Sequence, residues 1–316
     1  MKLHHVIEKY ILMKQSMGMR FCTEASILRG FSRTMGSRDM ADIDPDAVSI
    51  CLRSRRHPRV ICYRKARVLV RFYRFAIARG YADCSPLPPT IPKPRNNFVP
   101  YIYTVEELRR LLAASEILDR QRGRMETITF RTLLTTLYGT GLRISEALSL
   151  TFADVNLQEA LLIIRESKFF KTRWVPVGPR LRELLTTYAE KRRRWPCPLG
   201  KEDSAFFAAR DGTFIGRRSC AEYVFRQICN RAGVRRSDGA AFQPRLHDIR
   251  HTTAVHRLVD WYRQGGDVQR LLPSLATYLG HRGIDSLQWY LTMTPELLNE
   301  ANTRFERYAL KEVRHV

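Results

Sequence analysis

A chain of 316 residues is longer than one small core requires, so we expect two domains. Hydrophobic residues make up 44% of the chain, which excludes a largely disordered protein. The chain carries 54 lysines and arginines against 31 acidic residues, a net charge of +23. The electrostatic field of so basic a protein favours a polyanionic partner, and nucleic acid is the commonest polyanion. The alternative is a basic protein that does not bind nucleic acid.

Seven cysteines are scattered along the chain and none forms a Cys-x-x-Cys pair. The sequence therefore supports neither a zinc ribbon nor a redox motif. Free thiols suit a reducing compartment, so we expect a cytoplasmic protein. The N-terminal residues carry charges among their apolar positions, unlike a signal peptide, and no apolar run approaches the length of a membrane span.

Four helical segments are predicted before residue 85. They cover residues 4–17, about 23–35, a short stretch after Asp44-Pro45, and 58–79. Gly18 and Gly80 follow the first and the last of these segments, as glycine commonly does where a helix ends.

A proline-rich stretch separates these helices from the rest of the chain. Residues 85–100 contain six prolines, which prevent a helix and favour an extended linker. We therefore predict a helical domain over 1–84, a linker over 85–100 and a second domain over 101–316.

The helix predicted over 58–79 carries a stripe of arginines. Its members recur at helical spacing and are Arg64, Arg67, Arg71 and Arg74. No acidic residue lies four positions away from any of them, so they repel one another until an anion arrives. A solvated charged face is the alternative, and we interpret the stripe as a surface that contacts DNA phosphates.

The second domain is predicted to be mainly helical with a small β-sheet. Thr104 and Glu107 form a capping box that starts its first helix. A hairpin is predicted from two short runs rich in β-branched and apolar residues, over 160–165 and 173–177. The other predicted elements are a buried helix over 131–138 that ends at Gly139-Thr140-Gly141, a helix over 142–150, and helices after the hairpin.

Cutting a phosphodiester requires a nucleophile, cations for the non-bridging oxygens and an acid for the leaving oxygen. The sequence shows no cluster of carboxylates of the kind that holds catalytic metals, so we expect no metal or other cofactor. It offers instead a set of arginines, histidines, a lysine and a tyrosine. In chain order the set is Arg143, Lys168, His247, Arg250, His281 and Tyr290.

Each member of this set has an ordinary interpretation when it is taken alone. Arg143 could form a surface pair with Glu146, three residues later. His247 and Arg250 share one helix face at i, i+3 and could be structural. Tyr290 could be a core aromatic, since a phenol with a pKa near 10 is only about one-thousandth ionised at neutral pH.

The ordered set resembles that of the tyrosine recombinases, also called the phage integrase family. The resemblance is carried by Tyr-Gly-Thr-Gly-Leu-Arg143-Ile-Ser-Glu146-Ala-Leu, Leu-His247-Asp-Ile-Arg250-His, Gly280-His281 and Tyr290. It implies an N-terminal helical core-binding bundle and an α+β catalytic domain. It further implies a site-specific recombinase, acting in integration, excision or transposition, that cuts and rejoins DNA through a 3′-phosphotyrosine.

The resemblance also implies a role for each residue. Tyr290 attacks the phosphate, which Arg143, Arg250 and His281 hold, and Lys168 protonates the leaving 5′-oxygen. For the lysine, Lys171 and Arg173 lie nearby, and alignment of Trp174-Val-Pro with the exit strand of the family favours Lys168.

Two further residues complete the expected site. His247, with an unperturbed pKa near 6.5, is a candidate for proton transfer with Tyr290. Glu146 shares a helix face with Arg143 and can orient nearby groups.

The expected partner is double-stranded DNA, bound by a homo- or hetero-tetramer, with no membrane and no small-molecule substrate. A helix predicted to start at Thr294-Pro295-Glu296 would couple subunits, and packing of its apolar stripe on its own domain is the alternative. The segment between Arg250 and His281 is longer than is usual in the family and should form a loop or an extended helix. The rival interpretations of the whole chain are a type IB topoisomerase-like enzyme and an inactive DNA-binding accessory protein.

Overall fold

The computed structural model describes most of the chain in two compact units, Met1–Asn96 and Asn97–Val316. The described residues are 1–52, 59–94, 98–120, 125–165, 172–197, 199–200, 202–215, 218–280, 299, 302 and 303. They are mainly helical, with one small sheet, which confirms the predicted fold class.

The first unit is a bundle of four α-helices, as the sequence predicts. They are α1 (Leu3–Ser16), α2 (Cys22–Met35), α3 (Pro45–Leu52) and α4 (Arg59–Ala78). A short 3-10 helix, Met40–Asp42, lies between α2 and α3. Apolar side chains on the inner face of each helix form a single core, in which the rings of Tyr10 and Phe72 lie 5.8 Å apart.

Helix α4 has two distinct faces. Ala66, Leu69, Tyr73 and Ala76 are each no more than 1% exposed and pack in the bundle core. The opposite face carries the exposed arginine stripe, Arg64, Arg67, Arg71 and Arg74. Packing therefore fixes the direction of the stripe, because rotating the helix would expose its apolar face.

The proline-rich stretch contains no helix or strand in its described residues, 85–94 and 98–100. Leu87 and Ile91 nevertheless pack, partly buried, against the core of the helical bundle. These contacts explain why the first compact unit extends to Asn96, within the stretch predicted as linker.

The second unit contains eight α-helices among its described elements, and a short 3-10 helix, Phe152–Asp154. The α-helices are α5 (Val105–Ala114), α6 (Ile117–Arg120), α7 (Thr127–Thr140), α8 (Ile144–Leu148), α9 (Pro179–Arg192), α10 (Arg218–Ala232), α11 (Asp248–Arg263) and α12 (Val268–Leu279). The predicted capping box starts α5: the Thr104 hydroxyl accepts from the Glu107 N–H at 3.1 Å, and Glu107 accepts from the Thr104 N–H at 2.9 Å.

A three-stranded antiparallel sheet packs beside these helices, in the order β1 (Val155–Asn156), β2 (Leu161–Ile164), β3 (Arg173–Pro176). The predicted hairpin is confirmed, with Ile164 opposite Arg173 and Leu162 opposite Val175. Val175 is fully buried, whereas Trp174 is 69% exposed. Because side chains alternate along a strand, Arg173 shares the inner face with Val175.

Helix α7 lies in the middle of the unit and packs against α9 and α11. The long segment after Arg250 is largely helical: α11 continues to Arg263, and α12 follows a turn at Gly265-Gly266. Helices α11 and α12 share a small apolar cluster that includes Leu258, Leu272 and Leu279. None of the described helices has both the length and the apolar character needed to cross a membrane.

Candidate active site

The site begins at the turn after α7. Gly141 has φ +63°, a conformation that favours glycine, and its N–H donates to the Leu137 carbonyl at 2.8 Å. A Cβ at this position would lie 2.3 Å from Cδ2 of Leu279, closer than atoms can pack. The turn therefore needs glycine both for its backbone angle and for its contact with α12, and it places Arg143 directly before α8.

Glu146, in the first turn of α8, accepts hydrogen bonds from both Arg143 and Arg173. Its side chain is only 8% exposed and receives four hydrogen bonds. The backbone N–H of Arg143 donates at 3.0 Å and its Nη1 at 2.7 Å. Arg173 donates through Nη2 at 2.7 Å and Nη1 at 3.2 Å, one bond to each carboxylate oxygen.

These bonds determine the ionisation of Glu146. Burial on its own would raise the pKa of this carboxyl, but the hydrogen bonds from Arg173 and from the Arg143 backbone outweigh it. They lower the pKa to about 2, so Glu146 is ionised at neutral pH.

Arg250 approaches the same region from α11 and is almost completely buried, with 4% exposure. Its Nη1 donates to the Gly141 carbonyl at 2.7 Å, and its Nη2 donates to the Leu279 carbonyl at 2.6 Å. Arg143 donates through Nη2 to the Gly280 carbonyl at 3.0 Å. Since residues 279 and 280 are consecutive, the two arginines that the sequence places 107 residues apart converge on one turn.

That turn ends α12. Gly280 has φ +68° and caps the helix. The carbonyls of Leu279 and Gly280 are thus fixed by the two arginines immediately before the position of His281.

His247 lies at the start of α11, one turn before Arg250, and is half-buried. Its ring meets that of His251 edge to face, with centroids 5.3 Å apart. Burial, with the charges of Arg245 and Arg250, lowers the pKa of His251 to about 4, so this imidazole is neutral at pH 7. His251 therefore supports the ring of His247 rather than adding charge to the site.

Three of the predicted site residues lie outside the described part of the chain: Lys168, His281 and Tyr290. Their roles stay predictions, as does the helix predicted after Pro295. Sequence reasoning considered Arg173 only as an alternative to Lys168 and did not predict its contact with Glu146. The alternation of β3 was the available signal, because it directs Arg173 inward together with Val175.

The arrangement suits an anion. Two guanidinium groups, those of Arg143 and Arg173, bind the Glu146 carboxylate, and that of Arg250 binds the carbonyls of Gly141 and Leu279. Arginine stays protonated at any physiological pH. The excess positive charge lies next to the turn at Gly280, where the Arg143 side chain is 33% exposed. The Arg143 side chain uses two of its five N–H donors in its bonds to Glu146 and Gly280, so it has donors left for phosphate oxygens.

Comparison with known proteins agrees with this chemistry. Residues 102–296 match the phage integrase family, which is more than half of the chain. A Sinorhizobium fredii protein named as integrase/recombinase y4rB is 35% identical over 95% of this chain and 96% of its own length. The tyrosine recombinase XerD of Mycobacterium tuberculosis is 30% identical over 81% of this chain and 76% of its own.

Two solved structures share the fold at low identity. The Tn1549 transposon integrase, solved with transposon right-end DNA, has a TM-score of 0.66 at 14% identity, covering 98% of this chain and all of that one. A lambda integrase dimer bound to a core site has a TM-score of 0.62 at 18% identity, covering 90% and 96%. The relatives of this chain are named recombinases, which favours that interpretation over a topoisomerase-like enzyme or an inactive accessory protein. The chain therefore belongs to the phage integrase family and is a tyrosine-type enzyme of site-specific DNA recombination.

Proposed function

We propose that this recombinase cuts one DNA strand with Tyr290 while Arg143, Arg250 and His281 hold the scissile phosphate. The observation that carries the proposal is the convergence of Arg143 and Arg250 on the consecutive carbonyls of Leu279 and Gly280. This contact joins the two predicted phosphate-binding residues at the point where the chain continues to His281.

The reaction conserves the energy of the broken bond. The phenolic oxygen of Tyr290 forms a bond to phosphorus, and the bond from phosphorus to the 5′-oxygen breaks. His247 accepts the phenolic proton, and Lys168 gives a proton to the leaving oxygen. A 5′-hydroxyl of a second duplex then attacks the 3′-phosphotyrosine, so rejoining reverses the same steps and needs no external energy source.

A nicked suicide substrate tests this proposal. Cleavage near the nick releases a short strand, which diffuses away and leaves the protein covalently attached to the DNA. We expect a covalent complex of protein and DNA on denaturing gels, with the attachment at a single residue. A protein that binds the substrate and never becomes attached would contradict the proposal.

Lys168 is proposed as the general acid, because an ammonium gives up a proton more readily than a guanidinium. We expect Lys168→Ala to cleave ordinary DNA slowly and to recover on a substrate with a 5′-bridging sulfur, which leaves without a proton. The loss on the ordinary substrate should be about 10²–10⁴-fold.

Lys171→Ala is the matched control, since it removes the same charge three residues away. It should cleave both substrates at similar rates. If Lys171→Ala shows the sulfur rescue and Lys168→Ala shows equal defects on both substrates, the acid is Lys171.

The arginine stripe on α4 is proposed as a contact with the backbone of double-stranded DNA. All four side chains are exposed, and none forms an ion pair with another described residue. Each lost phosphate contact should reduce the slope of log K against log salt by about 0.9, so Arg67→Ala with Arg71→Ala should reduce it by roughly 1.8.

Arg29→Ala is the control for this measurement. Arg29 is also exposed in the first unit, but its guanidinium is paired with Glu8 at 2.7 and 2.8 Å. The control should leave the salt slope close to that of the wild type. An unchanged slope for the double variant would place the stripe in solvent.

We further propose that the enzyme works as a tetramer on paired DNA sites, made of one kind of subunit or two. A lambda integrase tetramer bound to a Holliday junction shares the fold, with a TM-score of 0.64 at 16% identity. Because rejoining needs a 5′-hydroxyl from a partner duplex, at least two subunits must act together. The helix predicted after Pro295 is the candidate for coupling them.

A further inference from the structure

Arg173 occupies a position that none of the predicted roles explains. It is the first residue of β3, on the buried face of the sheet, with a side chain only 14% exposed. Its two Nη atoms bind the two carboxylate oxygens of Glu146, at 2.7 and 3.2 Å. This bidentate arrangement fixes both the distance and the plane of the carboxylate.

The same guanidinium also lies against the turn that ends α12. A Cβ built on Gly280 would approach Cζ of Arg173 to 2.8 Å and Nη1 to 2.9 Å. The Gly280 carbonyl is an acceptor for Arg143. Arg173 therefore touches both of the groups that hold the Arg143 side chain, Glu146 and Gly280.

The charges of this cluster explain why two arginines share one carboxylate. If Glu146 were paired with Arg143 alone, the carboxylate would cancel the charge of Arg143 and weaken the attraction of Arg143 for a phosphate. With Arg173 added, two positive groups face one negative group, and the cluster keeps a charge of one. The more exposed of the two arginines is Arg143, at 33% against 14%, so the uncompensated charge lies where a ligand can reach it.

We propose that Arg173 is a positioning residue for DNA cleavage. It holds Glu146 and the Gly280 turn, and so keeps the Arg143 side chain oriented toward the scissile phosphate. It also leaves the cluster with a net positive charge on that side. The inference rests on the proposed role of Arg143. Arg173 is not the general acid, because a guanidinium does not release a proton in the neutral range.

The first test is single-turnover cleavage of the suicide substrate by Arg173→Ala. We expect the rate to decrease by about 10²-fold, the loss that follows a misplacement of about 1 Å at a reacting group. DNA affinity should change little, because Arg173 itself does not reach the phosphate. Arg173→Lys keeps the charge and loses the bidentate contact, so it should cleave at an intermediate rate.

The matched control is Arg165→Ala. Arg165 follows β2 in the same sheet and pairs with the buried carboxylate of Asp154 at 2.5 Å, as Arg173 pairs with Glu146. The Arg165–Asp154 pair includes neither Glu146 nor the Gly280 turn, and the Arg165 side chain is 59% exposed, so cleavage should stay within about threefold of the wild type. Thermal unfolding of each variant reports any general loss of structure.

The decisive test is a second change in the same cluster. If Arg173 acts by compensating the negative charge of Glu146, then neutralising Glu146 should offset the loss of Arg173. Glu146→Gln keeps an acceptor for the Arg143 N–H, and the double variant with Arg173→Ala should cleave at least about tenfold faster than Arg173→Ala alone. If the cleavage defect of the double variant equals the product of the two single defects, the proposal is overturned. A merely structural role of Arg173 would give no recovery in the double variant.

Two further outcomes separate this inference from the proposed function. If Arg143→Ala cleaves normally, the proposed phosphate contact itself fails, whatever Arg173 does. If Arg143→Ala is inactive and Arg173→Ala cleaves at the wild-type rate, only the inference about Arg173 fails. Rescue of Arg173→Ala by the 5′-bridging sulfur would also overturn it, since that result places Arg173 on the leaving oxygen.

Discussion

Tyr290→Phe is expected to bind duplex DNA as the wild-type chain does and to form no covalent complex. The change removes one oxygen, and with it the only atom of this side chain that can attack phosphorus. DNA affinity should persist, because it depends on the many phosphate contacts of a strongly basic chain. The measurement is the fraction of protein attached to a nicked suicide substrate at saturating DNA.

Tyr278→Phe is the control for this experiment. Tyr278 lies near the end of α12, and its hydroxyl donates to the Pro176 carbonyl at 3.1 Å. Its loss should cost about 1 kcal/mol of stability, the usual value for one hydrogen bond, and should leave attachment intact. A covalent complex that survives Tyr290→Phe would assign the nucleophile to another residue.

Arg143→Ala should reduce the cleavage rate by at least about 10²–10³-fold, the usual cost of removing one donor to a developing negative charge. The protein should stay folded, because the Glu146 carboxylate keeps its two bonds from Arg173. Single-turnover cleavage and thermal unfolding, measured on the same preparation, give both quantities.

Arg250→Ala should produce a similar loss of cleavage together with a lower melting temperature. This side chain is almost completely buried, and its removal leaves the carbonyls of Gly141 and Leu279 without these donors. Each unsatisfied buried carbonyl costs about 1–3 kcal/mol. A loss of cleavage below about tenfold in either variant would mean that the arginine concerned is not on the phosphate.

The helices were predictable from the sequence because their ends carry local signals. Gly80 and Gly141 follow α4 and α7, and the Thr104 capping box starts α5. These signals act within a few residues, so they are visible without any tertiary structure. The ordered set of residues that we propose as catalytic was visible for the same reason, because short motifs carry it.

The remaining features depend on contacts between distant segments. No local pattern shows that Arg250 binds the carbonyl of Gly141, 109 residues before it in the chain. The packing of Leu87 and Ile91 on the bundle was equally unpredictable, because the prolines show only that the segment is not helical and give no information about its contacts. The roles of Lys168, His281 and Tyr290 are still predictions from the sequence alone.

The attachment of two arginines to one turn has a mechanical consequence. Arg250 and Arg143 are tied to neighbouring peptide groups at the end of α12, at 2.6 and 3.0 Å. A contact of about 3.6 Å is no longer a hydrogen bond, so a shift of this helix end by about 1 Å would break both contacts. Arg143 would keep its bond to Glu146, and Arg250 its bond to Gly141. The end of α12 therefore helps to orient both arginines, and its displacement would alter the two side chains together.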